Sequence, residues 1–126
     1  MRLLIDTHIL LWFLEGNQLL ATSRHQIIAD PENDIFVSIG SLWEMAIKIS
    51  LNKLTLSYPL AEIVDHITSE NINILPILPA HAIEISVLPF HHRDPFDRLL
   101  VAQSRIERLA LMSNDKNFKS YEIEIL

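Results

Sequence analysis

Short apolar runs alternate along this chain with longer stretches whose apolar residues recur every three or four positions. Residues 2–5, 35–37, 73–75 and 109–112 are brief and mostly apolar, the pattern of buried strands, and residues 123–125 repeat it as a last, edge strand. The stretches between them read as helices. Residues 8–14 run to a stop at Glu15-Gly16-Asn17, Thr22-Ser23 can cap a helix to about residue 29, and residues 30–34 turn the chain into the second strand. Ser41-Leu42-Trp43-Glu44 has the spacing of a capping box, with Lys48 one turn beyond Glu44 and Asn52 suited to a left-handed stop. Residues 59–70 place Leu60, Ile63, Val64 and Ile67 on one face, and Pro79 opens a helix to about residue 88. This alternation predicts an α/β fold: three layers, α/β/α, around a mostly parallel central sheet, as one domain over residues 1–126.

The stretch 91–103, His-His-Arg-Asp-Pro-Phe-Asp-Arg-Leu-Leu-Val-Ala-Gln, starts another helix. Asp94 suits the N-cap, Pro95 the first helical position, and Asp97 then falls at the third, where it can reach back to the cap's free N–H. From residue 95 to 108 the periodicity sets Asp97, Ser104, Arg105 and Arg108 on a polar face, with Phe96, Leu99, Leu100, Ala102 and Ile106 mostly opposite. Residues 113–116 form a strand-to-helix turn.

In an open parallel sheet, residues that follow strands gather at the carboxyl edge, where ligands bind. Asp6, Glu44, Asp97 and Asp115 all fall there. Each also has a local structural role open to it, as a helix cap or as the partner of a lysine. Together they are costly, because two carboxylates 4 Å apart repel by roughly 4 kcal/mol at an effective dielectric near 20. A cation would offset this, and an oxygen-only ligand set selects Mg²⁺ or Mn²⁺. Such a site suits hydrolysis of phosphate esters. His91 and His92 with Asp94 offer a transition-metal alternative, which a hard-cation site does not require.

Composition narrows the choice further. The chain has no cysteine, which removes disulfides, thiolate zinc sites and cysteine nucleophiles together. Its two glycines cannot build the phosphate loops of nucleotide-binding folds, and His8 stands where an aspartyl-nucleophile phosphatase would carry a second Asp. Asp6 and His8 break any signal-like apolar core, so a cytoplasmic protein without a membrane segment is expected. The net charge of −6 argues against a simple basic nucleic-acid binder, although six of the ten basic residues lie from Arg93 onward, near the acidic positions.

Four blocks carry a family resemblance: L-L-I-D-T-H-I-L-L-W at 3–12, S-L-W-E-M-A-I-K at 41–48, H-R-D-P-F-D-R-L-L-V-A-Q at 92–103 and S-N-D-K-N-F at 113–118. In this order they resemble PIN-domain proteins of the VapC type, the ribonuclease toxins of bacterial toxin–antitoxin pairs. The resemblance implies Mg²⁺- or Mn²⁺-dependent endoribonuclease activity on RNA, homodimerisation, and neutralisation by a small antitoxin. It matches Asp6, Glu44, Asp97 and Asp115 to the family's acidic metal site, with Asp94 as a secondary candidate. Ser113, Asn52 and Glu122 depart from its pattern, the last at a tight final turn where glycine is expected. The apolar residues Leu10 to Leu14, too many for one helix to bury alone, agree with a dimer. The competing expectation is an inactive interaction module of the same fold, its acidic groove binding a basic peptide; a binding module has no reason to hold like charges together.

Overall fold

The computed structural model describes residues 1–126. In chain order the elements are β1 (Arg2–Ile5), α1 (Thr7–Glu15), α2 (Thr22–Ala29), β2 (Asp34–Ser38), α3 (Ile39–Ser50), α4 (Leu60–Ser69), β3 (Asn73–Leu75), α5 (Pro79–Val87), α6 (Pro95–Glu107) and β4 (Ala110–Met112). A 3₁₀ turn over Lys116–Ser120 follows. The sheet has the order β3-β2-β1-β4 and is parallel throughout. β1 is central, with Leu4 level with Phe36 on one side and Leu111 on the other.

Side chains alternate across β1 and so feed two cores. Leu3 and Ile5 pack with Ile9, Leu10, Met45, Ile63 and Ile67 of α1, α3 and α4. Leu4 faces the other way, onto Leu100, Val101 and Leu111. Both faces are therefore covered, as a parallel sheet requires, and the architecture is the expected three-layer one. No helix is long and apolar enough to cross a membrane.

Several local expectations are corrected. α3 begins directly out of β2 with Ser38 as its N-cap, the hydroxyl accepting from Gly40 N–H at 3.0 Å, so Ser41 lies inside the helix and forms no capping box. The strand already ended on a good capping residue, and no loop was needed. α2 is capped by Ala21 with no side-chain bond, not by Thr22 or Ser23. Residues 123–125 make only a single parallel bridge, Ile125 with Leu111, instead of a strand. The chain is bent just before it by a tight bond from Ile123 N–H to Tyr121 C=O. Asn52 does take the left-handed conformation, at φ 56°.

α6 departs most from its periodicity. Every residue from Arg98 to Ser104 is buried, Ser104 included, whereas Ile106 is exposed. The sheet, α3 and α5 surround it, and several of its polar side chains find partners there, although Ser104 Oγ and Gln103 Oε1 have none. Gln103 Nε2 donates to Pro76 C=O, Glu107 meets the buried His81, and Arg105 pairs with Glu84 at 2.7 Å. The apolar run of α1 is likewise mostly buried within the chain, at Leu10, Leu11 and Phe13, so its excess does not argue for a dimer.

α3 and α6 touch at Gly40, where an added Cβ would collide with Leu99 Cδ2. Gly40→Ala should therefore force the two helices apart and destabilise the fold by about 1 to 3 kcal/mol, the usual cost of overpacking. Urea denaturation reads this directly, and an alanine variant as stable as wild type would show that the contact yields freely.

Candidate active site

The carboxyl ends of β1 and β4 meet where Asp6 N–H donates to Met112 C=O at 3.2 Å. Asp6 is the N-cap of α1, one carboxylate oxygen accepting from Ile9 N–H at 2.9 Å. It is buried, and burial pushes its pKa above the ordinary value against the opposing influence of the Ser113 side chain and the Ile9 N–H.

Because α3 starts at Ile39, Glu44 sits in the second turn, free of capping duty. Thr7 donates its hydroxyl to Glu44 Oε1 at 2.8 Å, and Lys48 Nζ stands 3.2 Å from Oε2. The i,i+4 lysine pair is as expected; the threonine clamp from α1 was not foreseen. Asp115 caps the 3₁₀ turn through Oδ1, which accepts from Asn117 N–H at 2.9 Å. Asp94 is the N-cap of α6, accepting from the N–H groups of Phe96 and Asp97.

Asp97 differs from these. It makes no return bond to the N-cap, so α6 is capped by Asp94 alone. Its nearest side-chain partner is His92 Nε2, at 3.9 Å from Oδ2. Burial raises its pKa to about 6, and the charges of Asp94, Asp115 and Glu44 push the same way against His92. Asp6, Glu44, Asp94, Asp97 and Asp115 all line one cleft of about 170 Å³, together with Lys48. The structure thus brings together all five acidic positions singled out in the sequence.

His92, although it lies in the connection before α6, is buried: its side chain is only 7% exposed, stacked on Tyr121 and tilted against Phe118. Its backbone N–H donates to the Tyr121 hydroxyl at 3.0 Å. Nε2 lies 3.5 Å from Asp115 Oδ2, and one ligand atom each of His92, Asp97 and Asp115 fall within 4.8 Å of one another. His91 stays exposed, with its ring edge-on to Tyr121. The only signal in the sequence was the pair of aromatic residues downstream of Asp115, and no local periodicity links them to residue 92.

The basic residues also separate. Arg98 is buried, donating to the carbonyls of Ile85, Leu88 and Pro89, and does not face the cleft. Lys116 and Lys119 line a pocket beside Asp115, together with Arg24.

The sequence pattern of the PIN domain matches residues 3–124. No curated protein matches the chain. Among solved structures, a chain of VapBC2 from Rickettsia felis, bound to a DNA fragment from its promoter, aligns over 100% of this chain and 98% of its own, at 16% identity and a TM-score of 0.74. A toxin–antitoxin complex from Klebsiella pneumoniae aligns over 98% and 95%, at 19% identity and a TM-score of 0.65. VapBC-1 from nontypeable Haemophilus influenzae aligns over 100% and 97%, at 15% identity and 0.64. At such identities these likenesses speak to the fold alone. The domain pattern spans nearly the whole chain and meets the same parallel sheet with acids at its carboxyl edge: this chain belongs to the PIN domain family.

Proposed function

We propose that this chain is a metal-dependent endoribonuclease acting in the cytoplasm, the toxin of a toxin–antitoxin pair, with Asp6, Glu44, Asp97 and Asp115 as its catalytic and metal-binding acids. Asp94, engaged by two backbone donors, is a secondary ligand. The observation that carries this reading is the convergence of five carboxylates on one cleft, where burial and then the charge of Asp94 raise the pKa of Asp97. The donor set fits a hard divalent cation, Mg²⁺ or Mn²⁺: carboxylate oxygens dominate, and Asp97 has no hydrogen bond to give up. When bound, the cation would polarise the phosphodiester and lower the pKa of a water.

The chain's own residues prepare that chemistry. Thr7 fixes the rotation of Glu44, and backbone N–H groups fix Asp6 and Asp115, so three acids are oriented before any ligand arrives. Lys48 beside the acids, and Arg24, Lys116 and Lys119 next to Asp115, offer cations to phosphate oxygens of an RNA strand. They supply locally what the net charge of −6 denies globally. The antitoxin partner of this reading would cover an apolar groove between α3 and α4, lined by Ile49, Leu54, Leu56 and Tyr58. An arginine from it could enter the acidic cleft. The homodimer would use Ile83, Val87 and Phe90, which are largely exposed, instead of α1.

Saturating Mg²⁺ or Mn²⁺ should raise the melting temperature. A hundredfold excess over Kd contributes about 2.7 kcal/mol, which for a chain of this size is roughly 10 °C. A melting temperature indifferent to millimolar amounts of both would remove the metal site.

Asp97→Asn separates the ligand role from a capping one. The native carboxyl, with its pKa raised to about 6, holds a proton that the unfolded one releases near 3.8, so the metal-free protein loses stability as pH rises through that window. Removing the charge should leave the protein in EDTA at pH 7.5 more stable by about 1 to 2 kcal/mol, allowing for solvent screening and the lost helix-dipole term. The gain should vanish below pH 4. Cleavage of a fluorogenic RNA with Mn²⁺ should fall by orders of magnitude; near wild-type cleavage would sink the assignment, and a wild type that binds basic peptides but never cuts would put the interaction module in its place.

Light scattering should report a dimer, and Val87→Glu should shift it to monomer. A wild-type monomer at working concentrations would refute the dimer.

A further inference from the structure

We propose that His92 Nε2 is a metal-binding atom of the cleft, joining Asp97 and Asp115, and that it tilts the site toward Mn²⁺ over Mg²⁺. This rests on the reading that the cleft holds a divalent cation.

Burial without a partner is the first ground. Neither ring nitrogen of His92 has a hydrogen-bond partner, although the side chain is more than nine-tenths buried. Leaving a buried polar atom unpaired is unfavourable, and native proteins seldom do it without a purpose. His81 shows how this chain treats a structural histidine: it is fully buried, its Nδ1 accepts from Leu78 N–H at 2.9 Å and its Nε2 meets Glu107 Oε1 at 2.9 Å. His92 is the exception, and it points at two carboxylates.

Spacing is the second ground. At 3.5 and 3.9 Å, Nε2 is too far from Asp115 Oδ2 and Asp97 Oδ2 for good hydrogen bonds. With metal–ligand bonds of about 2.1 Å, neighbouring ligand atoms stand about 3 to 3.5 Å apart and opposite ones about 4.2 Å. The gaps are thus of the size that one shared ion spans. The ring cannot readily turn away, because Tyr121 and Phe118 pack against it and the Tyr121 hydroxyl holds its backbone. This packing takes the place of the second hydrogen bond that usually orients a ligating imidazole.

Donor chemistry gives the selectivity. Mg²⁺ demands oxygen ligands and dehydrates reluctantly, whereas imidazole nitrogen is better accepted by transition cations. With one nitrogen among several carboxylates the site stays hard enough for Mn²⁺.

Electron spin-echo envelope modulation on the Mn²⁺-loaded wild-type protein tests this without relying on activity. A ¹⁴N coupling is expected, replaced by a ¹⁵N coupling when histidine is ¹⁵N-labelled. His8 also lines the cleft, so His8→Gln should keep the coupling and His92→Gln should lose it. Calorimetric titration should show the ratio of Mn²⁺ to Mg²⁺ affinity falling about tenfold or more in His92→Gln and in His92→Asn. Bound Mn²⁺ with no histidine coupling, a coupling that follows His8, or an unchanged ratio would overturn the proposal while leaving the metal-dependent reading intact. If neither His92 variant folds, the labelled wild type and His8→Gln still decide. A wild type that binds no Mn²⁺ at all would overturn both.

Discussion

The crowding of like charges at the end of β1 is the constraint around which this molecule is arranged. β1 ends with Ile5 level with Val37 of β2 and Met112 of β4, so the residues that follow the three strands are delivered to one place. That register is set by apolar packing. Leu3, Leu4, Ile5, Ile9, Leu10 and Leu111 are completely buried, and each is worth about 1.5 to 3 kcal/mol. Repulsion of roughly 4 kcal/mol for a close carboxylate pair is smaller than what these few side chains supply. The core therefore imposes the acidic cluster on the fold, and the cluster cannot disperse without sliding the sheet.

The structural and functional readings of each acid turn out to be compatible, because a carboxylate has two oxygens. Asp115 gives Oδ1 to the backbone of its 3₁₀ turn and presents Oδ2 to His92. Asp6 gives Oδ1 to Ile9 N–H. Glu44 divides its oxygens between Thr7 and Lys48. At Asp6 and Asp115 capping fixes where the carboxylate stands through one oxygen and leaves the other for further contacts. Asp97 alone is not restrained in this way, and burial together with the neighbouring carboxylates raises its pKa.

This explains what could be read in the sequence. The strands were legible because both faces of the sheet are covered and their residues are continuously apolar. The acids were legible because strand ends of a parallel sheet share an edge, a rule that needs only element order. Ser38 as a cap was hidden because β2 runs into α3 without a loop, so no turn residue marks the junction. The burial of Arg98 and Gln103 was hidden because donors on a fully surrounded helix are met by distant carbonyls. His92 was hidden because the side chains that bury it, Phe118 and Tyr121, lie more than twenty residues away in the chain.

Arg98 shows how such distant contacts reach the site. Its guanidinium is buried without a carboxylate partner, which would be costly were it not donating to three carbonyls, of Ile85, Leu88 and Pro89. Phe90 covers it, with the guanidinium carbon 4.1 Å from the ring centroid. These contacts pin the end of α5 and the start of the segment that leads to His92. At the other end Asp94 begins α6, and in between the Tyr121 hydroxyl takes His92 N–H. A basic residue that the sequence places near the acidic positions therefore acts from the interior. It sets the path of the seven-residue connection between α5 and α6, and along that path an imidazole is carried to the carboxylates of Asp97 and Asp115.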